Sequence, residues 1–313
     1  MQITRRNFTT MCASLPAFAG GRAASLSQSE QRVYEVFGVP LRTGSLYPGT
    51  ENDAIAYREA GIIEQFRAAG IHAADRGDIP IPSFLPHHSI PPVRNWPGPR
   101  IAWDCVCEHL SESLKQPGRV PLLIGCDCSI VAGTVQALMR ASSRDLHVVY
   151  IDGDFDDAVP QAHVCNSAAS FAVWFLTNGS AFWSGPALKP SQVTVVGWSV
   201  PSKSPGETAD SLSLADIRKE GARESAARIL ERIPPSADIL IHLDIDVLSK
   251  HELPAAYFPH SEGLTLDECQ QLLHPIAHDG RVRLIEISEY ASLRDLDGTY
   301  VRSLIRLLTG ALA

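Results

Sequence analysis

The amino-acid sequence predicts an α/β fold with three layers, in which helices cover both faces of one parallel β-sheet. Short, nearly continuous apolar runs rich in β-branched residues are typical of strands buried on both faces, and they occur at 120–124, 147–151 and 239–243. Stretches with apolar residues at helical spacing follow most of these runs, which favours parallel strands joined by crossover helices. Because no internal repeat or linker divides the body, we predict a single domain over residues 30–313.

The remaining elements follow from the same two patterns. Further strands are predicted at 33–39, 71–74, 193–196 and 282–287. Helices are predicted at 54–69, 101–114, 129–141, 214–233, 265–274 and 300–312. The proline-rich segment 80–99 is predicted to be a loop, because proline lacks the N–H that a strand or helix interior needs.

Composition indicates a globular protein with no affinity for polyanions. The chain has 313 residues, of which 45% are apolar, and this length is enough for a large buried core. Its formal net charge is −8, from 35 acidic and 27 basic residues. A nucleic acid or an anionic membrane surface binds a basic face, so neither is expected as a partner.

The first 27 residues resemble an export signal. Arg5 and Arg6 precede a short apolar stretch at 11–20, and small residues follow it. This order is typical of secretory signals, and the stretch is too short for a stable membrane span. Residues 4–8 resemble a twin-arginine signal, which predicts a periplasmic or otherwise exported protein. An ordinary N-terminus, and with it a cytoplasmic location, is the alternative.

Acidic side chains and a cysteine directly follow three of the predicted strands. These residues are Asp127, Cys128, Asp152, Asp154, Asp156, Asp244 and Asp246. Ligands bind at the carboxyl edge of open parallel sheets, so the three segments are expected to meet in one crevice. In extended chain, residues two apart face the same way, so Asp152 with Asp154, and Asp244 with Asp246, are expected to point together.

A crevice with five carboxylates requires cations, because buried like charges cannot all stay ionised unpaired. Two divalent ions bridged by shared aspartates satisfy this requirement. A calcium-binding EF-hand loop is excluded, since Asp157 stands where its glycine is due and His163 where its glutamate is due. Surface turns that happen to be rich in aspartate are the remaining alternative.

These segments resemble the hallmarks of the arginase, agmatinase and formiminoglutamase family of ureohydrolases. The family patterns G-G-D-H-S, D-A-H-x-D and D-[IV]-D-x-L-D-P stand here as GCDCS at 125–129, DGDFD at 152–156 and DIDVLSK at 244–250. The likeness runs from about residue 33 to 312. It includes the segments at 38–49, 77–79, 262–265 and 286–289.

The resemblance implies an arginase-like fold and a centre with two metal ions. One ion would be held by Cys128, Asp152, Asp156 and Asp244, and the other by Asp152, Asp154, Asp244 and Asp246. Asp152 and Asp244 would bridge the two ions, and a metal-bound hydroxide would attack a guanidinium carbon. Glu289 matches the family's glutamate that receives the guanidinium group. Manganese is the metal expected from the family, with zinc or iron as alternatives, because a thiolate favours softer ions.

The chain departs from the family at its histidines. Cys128 and Asp154 replace both histidine ligands, which makes the site more negative by two charges. The histidine of the family's S-G-N-x-H-G segment has no counterpart, since CNSAA stands at 165–169. His163 is nearby and is a candidate proton carrier, with an exposed loop histidine as the alternative. The loop at 197–199 lacks the aspartates that grip an α-amino group in arginases.

The resemblance therefore predicts a binuclear-metal hydrolase that cleaves a C–N bond of a small guanidine-type substrate such as arginine, hydroxyarginine or agmatine. A cysteine in the first ligand position is similar to the Nω-hydroxy-L-arginine amidinohydrolase branch. One alternative is a protein with this fold that binds metal or ligand without this catalysis. Another is a one-metal amide deacylase, whose ligand pattern requires a histidine that is absent here. The family often forms trimers or hexamers, so the resemblance allows a homo-oligomer.

Overall fold

A computed structural model describes residues 32–40, 42, 52–82, 85, 88–125, 127–178, 182, 185–201 and 209–313. The predicted export signal at 1–27 lies outside the described residues and stays a prediction. Within the described ranges, no helix combines the length and the apolar character needed to cross a membrane.

The fold is built on an eight-stranded sheet in which all neighbouring strands are parallel, as the sequence predicts. From edge to edge, its strands are β2 (Ala73–Asp78), β1 (Val33–Val39), β5 (Arg119–Gly125), β10 (Val282–Ser288), β9 (Asp238–Asp244), β6 (Leu146–Ile151), β7 (Val193–Trp198) and β8 (Asp210–Ser213). A separate antiparallel hairpin pairs β3 (Ser89–Ile90) with β4 (Val93–Arg94). The predicted strands are confirmed, although the one predicted at 71–74 is observed at 73–78. Strand β8 is an addition, and so is the hairpin, which lies in the segment predicted to be a loop.

The helices lie between the strands along the chain. They are α1 (Asp53–Glu59), α2 (Ile62–Ala68), α3 (Gly98–Leu114), α4 (Val131–Ala141), α5 (Ala172–Asn178), α6 (Leu214–Glu220), α7 (Ala222–Arg232), α8 (Leu266–Ala277) and α9 (Thr299–Leu312). Two stretches predicted as single helices are each divided in two. The divisions fall at Gly61 and Gly221, whose φ angles of +76° and +101° are incompatible with a continuous right-handed helix.

Two apolar cores, one on each face of the sheet, produce the three layers. Successive residues of one strand point to opposite faces, so Leu122 and Val149 belong to one core while Leu123 and Val148 belong to the other. Helices α1, α2 and α6 to α9 contribute buried residues to the first core, and α3 to α5 contribute to the second. The predicted three-layer α/β/α fold is confirmed.

The sheet order places the site-bearing segments side by side. Strands β5, β10, β9 and β6 are consecutive neighbours at the centre of the sheet. Ile151 pairs with Leu243, so the residues that follow these two, Asp152 and Asp244, reach the carboxyl edge together. On the other side of β9, Ser288 pairs with Asp244, which places Glu289 one residue beyond that edge.

Away from this edge, a buried carboxylate on β1 provides a test of the fold's stability. Glu35 is 3% exposed and accepts hydrogen bonds from Arg76, Arg119 and Ser113. Burial alone would raise the pKa of Glu35, but these donors outweigh burial and lower it. The ionised Glu35 carboxylate should therefore stabilise the fold fully above its unfolded-state pKa of about 4.3. This stabilisation should be lost as the pH falls through the lower folded-state pKa.

Substitution Glu35→Gln is expected to lower the free energy of unfolding at pH 7 by about 1–3 kcal/mol, since hydrogen bonds to a charged group are lost. It should also flatten the decline of stability between about pH 5 and pH 3. Urea denaturation at several pH values measures both effects. Glu59→Gln, at an exposed glutamate, is the control and should change stability little.

Candidate metal centre

The carboxyl ends of the four central strands surround a cavity of about 140 Å³. All six predicted metal ligands and Glu289 lie on its wall. The described lining residues are Cys128, Asp152, Asp154, Asp156, Ser167, Ala169, Ser170, Asp244, Asp246, Phe258 and Glu289. The three acidic segments therefore meet in one crevice, as expected from their positions after parallel strands.

The two bridging candidates are held by the backbone of their own segments. The Asp154 N–H donates to Oδ1 of Asp152 at 2.6 Å, and the Asp246 N–H donates to Oδ1 of Asp244 at 2.7 Å. An Asp side chain that accepts from the backbone N–H two residues ahead forms an Asx-turn. Ligand oxygens of Asp152, Asp244 and Asp246 all lie within 4.8 Å of one another, close enough to share one cation.

Cys128 belongs to the same cluster. Its Sγ lies 2.7 Å from Oδ2 of Asp244 and 4.0 Å from Oδ2 of Asp152. Burial, followed by the charge of Asp244, raises the pKa of the Cys128 thiol well above its usual range. Without a cation, this residue is therefore a thiol that donates to Asp244, and a bound metal would have to displace its proton.

Asp154 and Asp156 complete the acidic wall. The Asp156 backbone has a φ of +48°, an uncommon left-handed conformation for a residue other than glycine. Its Oδ2 accepts a hydrogen bond of 2.8 Å from the Tyr150 hydroxyl. Asp154 is more exposed, with 37% of its side chain accessible, so it lies at the outer side of the cluster.

The electrostatics of the cluster favour a divalent cation. Burial is the largest cause that raises the pKa of Asp152, Asp156 and Asp244 well above the usual range, and repulsion by neighbouring carboxylates adds to it. Divalent cations would remove this repulsion, and carboxylate oxygens are the ligands that hard ions prefer. The donor set present in this chain therefore fits the ions that the family's fold implies.

Glu289 also lies on the cavity wall, but a basic side chain of the protein already pairs with it. Nη2 of Arg42 lies 2.6 Å from Oε2 of Glu289, and both side chains are buried. The Arg42 guanidinium stacks 3.2 Å above the ring centre of Tyr257, a cation–π geometry. The Cys128 N–H donates to the other oxygen, Oε1, at 3.4 Å. Burial raises the pKa of Glu289 to about 7, although Arg42 opposes this shift.

The backbone at Glu289 is held in an unfavourable conformation. Its φ of +63° is in the left-handed region, which costs about 1 kcal/mol or more for a residue with a Cβ. The Tyr257 N–H donates to the Glu289 carbonyl at 2.9 Å and fixes this turn. A strained residue on a cavity wall is typical of a functional position.

His260, which the sequence analysis did not single out, contacts the outer side of the cluster. Its Nε2 lies 3.3 Å from Oδ2 of Asp154 and 3.6 Å from Oδ2 of Asp246. Asp154 and then Asp246 raise the pKa of His260 to about 10. One ligand atom from each of these three residues lies within 4.8 Å of the other two.

A second histidine that the sequence analysis did not single out, His242, is connected to Cys128 through Ser288. His242 on β9 stacks on Tyr150 with ring centres 4.2 Å apart, and its Nδ1 lies 2.7 Å from Oε1 of Glu286. Its Nε2 is 3.3 Å from Oγ of Ser288, which is 3.2 Å from the Cys128 Sγ. These contacts form a buried polar row behind the thiol. In the sequence, these residues are recognisable as polar residues at alternate positions of otherwise apolar strands.

His163 is exposed and is not among the described residues that line the cavity. Its role as a proton carrier stays a prediction. The segment aligned with the family's missing histidine does reach the cavity, through Ser167, Ala169 and Ser170. That part of the wall therefore carries hydroxyl and methyl groups where the family pattern has an imidazole.

Comparison with known proteins identifies the family. The hepatic arginase of Aquarana catesbeiana is 27% identical over 285 residues, which cover 84% of this chain and 86% of that protein. Among solved structures, the arginase of Entamoeba histolytica in complex with L-ornithine has a TM-score of 0.76 and 16% identity, with 91% of this chain and 99% of that chain covered. The formimidoylglutamase of Bacillus subtilis has a TM-score of 0.67 and 20% identity, with 90% and 86% covered. A model of the arginase family matches residues 33–311, so this chain belongs to the arginase family.

Proposed function

We propose that the protein is a metal-dependent hydrolase that cleaves a C–N bond in a guanidine-type group. The observation that carries this proposal is the meeting of five aspartates, a cysteine and Glu289 around one cavity at the centre of the sheet edge. The reaction adds water across the bond: the carbon gains the hydroxyl group and becomes a urea, and the leaving nitrogen gains a proton and departs as an amine.

We propose two divalent cations as the cofactor, with manganese as the expected metal. Cys128, Asp152, Asp156 and Asp244 would hold one ion, and Asp152, Asp154, Asp244 and Asp246 would hold the other. Bound there, the ions would supply Lewis acidity and lower the pKa of water. The protein itself orients the ligands through the Asp154 and Asp246 backbone N–H groups.

The pairing of Glu289 with Arg42 bears on the form of the substrate. A free carboxylate attracts a guanidinium cation, whereas Oε2 of Glu289 is already bound by an internal guanidinium at 2.6 Å. A weakly basic group, such as an N-hydroxyguanidine, can enter uncharged. It then does not compete with Arg42 for the negative charge of Glu289. We therefore propose hydroxyarginine-like substrates ahead of arginine itself.

Purified protein loaded with manganese tests the proposal. We expect urea or hydroxyurea, detected colorimetrically, from at least one of arginine, hydroxyarginine, agmatine and guanidinobutyrate, with hydroxyarginine the best. Asp244→Asn removes a bridging ligand and should lower kcat/KM by at least about a hundredfold. Asp267→Asn, at an exposed helix position, should leave turnover unchanged. No product from any of these substrates, with two ions bound, would contradict the catalytic proposal.

A second function is favoured by one feature of the cavity. None of its described lining residues is a histidine, so the usual carrier of protons near neutral pH is missing from its wall. A protein that binds metal and ligand without turnover fits this feature. Ligand binding by calorimetry, with no product in the colorimetric assay, would distinguish this function from hydrolysis.

A further inference from the structure

We propose that His260 supplies an imidazole ligand to the metal ion held by Asp154 and Asp246. The three side chains offer one ligand atom each, and these atoms lie within 4.8 Å of one another. Asp246 also belongs to the group formed with Asp152 and Asp244, so His260 extends the carboxylate cluster. The inference rests on the proposed metal binding and does not depend on the proposed catalysis.

The separations fit ligands around a shared ion better than a direct ion pair. Charge-assisted hydrogen bonds between nitrogen and a carboxylate are about 2.7–2.9 Å long. Nε2 of His260 is instead 3.3 Å from one carboxylate and 3.6 Å from the other. Two ligands about 2.0–2.2 Å from one divalent ion, at angles of about 90–110°, lie about 2.8–3.6 Å apart. The distances from the His260 imidazole to both aspartates are therefore those expected between neighbouring ligands of one ion.

Gly153 leaves room for both His260 and Asp246. A Cβ at position 153 would lie 2.6 Å from Cδ2 of His260, and 2.8 Å and 2.9 Å from the carbonyl oxygen and Oδ1 of Asp246. The backbone of Gly153 is not in the left-handed region, so steric space, and not conformation, requires glycine there. The family's D-A-H-x-D pattern has alanine at this position. Gly153 and His260 therefore fit together sterically beside Asp154.

An imidazole at this position would alter the ligand set of the ion held by Asp154 and Asp246. Asp154 stands where the family has a histidine, so the second ion would lose its nitrogen ligand and gain another negative charge. His260 restores the imidazole from a different segment, the loop between β9 and α8. With 19% of its side chain exposed, His260 lies at the outer side of the centre, next to the most accessible carboxylate.

Metal titration of the full chain tests the proposal. We compare the wild type with His260→Ala and with His251→Ala, which alters an exposed histidine nine positions earlier in the same loop. Calorimetry with Mn²⁺ alone should show two ions per chain in the wild type and in His251→Ala. In His260→Ala, one of the two ions should bind at least about tenfold more weakly, and added imidazole should restore part of the loss.

Pulsed electron paramagnetic resonance of bound Mn²⁺ gives an independent readout. Couplings from the ¹⁴N nucleus of a coordinated imidazole should appear in the wild type and disappear in His260→Ala. Gly153→Ala retains the histidine but crowds both His260 and Asp246, so it should weaken the same couplings and also the affinity of this ion. Circular dichroism and thermal unfolding confirm that each variant is folded.

Three outcomes would overturn the proposal. One is a His260→Ala variant that binds two ions with wild-type affinity and unchanged ¹⁴N couplings. Another is a wild type that binds fewer than two ions. A variant that gains an ion when His260 is removed would show instead that the imidazolium takes the place of a cation. By contrast, two ions bound through His260 without any hydrolysis would refute the proposed catalysis and support this inference.

Discussion

Replacing Cys128 and Asp154 together by histidine is expected to tighten Mn²⁺ binding by about tenfold or more. The native thiol is fully buried and its pKa lies well above the usual range, so manganese must displace a tightly held proton. An imidazole binds the metal in its neutral form, and its ordinary pKa of about 6.5 lies well below that of a buried thiol. With metal bound and the thiol deprotonated, the variant also carries two fewer negative charges beside Asp152 and Asp244.

The same substitution should change the pH dependence of metal affinity. Metal binding releases the protons that the ligands hold, so affinity rises with pH wherever a ligand is still protonated in the free protein. Because the pKa of Cys128 is raised, the native affinity should continue to rise between pH 7 and pH 9. In the double-histidine variant, the rise over this interval should be shallower, and calorimetry at three pH values measures both slopes.

The matched control is the double substitution Cys128→Ala with Asp154→Ala. It removes the same two ligands without adding imidazole, so it separates relief of charge repulsion from the gain of nitrogen ligands. We expect the alanine pair to bind manganese more weakly than the native protein. A folded double-histidine variant with no gain in affinity would mean that these two positions are not the ligand positions of the family.

His260 provides an internal check on this prediction. If it already supplies nitrogen to the outer ion, Asp154→His should add less affinity in the native background than in His260→Ala. The difference between the two gains is the coupling between the residues. Equal gains in both backgrounds would mean that His260 and Asp154 do not share an ion.

The sheet could be predicted from the sequence because its strands are short apolar runs buried on both faces. This pattern can be recognised within a few consecutive residues. The polar edge strand β8, with the sequence DSLS at 210–213, has no such run and was not predicted. The division of helices at Gly61 and Gly221 depends on a left-handed φ. An isolated glycine in a helical pattern does not by itself indicate this conformation.

The acidic residues of the site were likewise predictable, since D-x-D segments directly follow buried strands. Arg42 and His260 were not, because each acts through contacts distant in sequence: 247 residues separate Arg42 from Glu289. No local pattern reports such a contact. For His260 one signal was present, the glycine at 153 where the family pattern has alanine, but its meaning depends on which side chain occupies the space.

Replacing Arg42 by alanine is expected to destabilise the protein by about 3–5 kcal/mol, because it leaves Glu289 buried without its cation. Guanidinium ion should reverse part of this loss. The substitution vacates a buried, planar position beside Oε2 of Glu289 and above the Tyr257 ring, which a free guanidinium can fill with the same contacts. Low millimolar guanidinium chloride should therefore raise the Tm of Arg42→Ala while leaving the wild type unchanged.

The same vacancy should alter substrate preference. With Arg42 absent, Glu289 is available to a substrate's guanidinium group, so the ratio of kcat/KM for arginine to that for hydroxyarginine should rise by about tenfold, equivalent to about 1.4 kcal/mol. Arg42→Lys keeps a positive charge next to Glu289, and the ratio should then stay close to the wild-type value. An unchanged ratio in Arg42→Ala, in a protein shown to be folded, would mean that Arg42 does not control access to Glu289.

Arg100→Ala is the matched control for guanidinium rescue. Arg100 pairs with Asp104 one helical turn away, at 3.0 Å, and both side chains are partly exposed. Its removal should cost less than about 1 kcal/mol, and guanidinium should not restore that loss. Rescue of Arg42→Ala alone would show that a guanidinium group binds at Glu289 within a folded chain, the interaction that a guanidine-type substrate would need. Equal rescue of both variants would indicate a general salt effect and would contradict specific binding of guanidinium at Glu289.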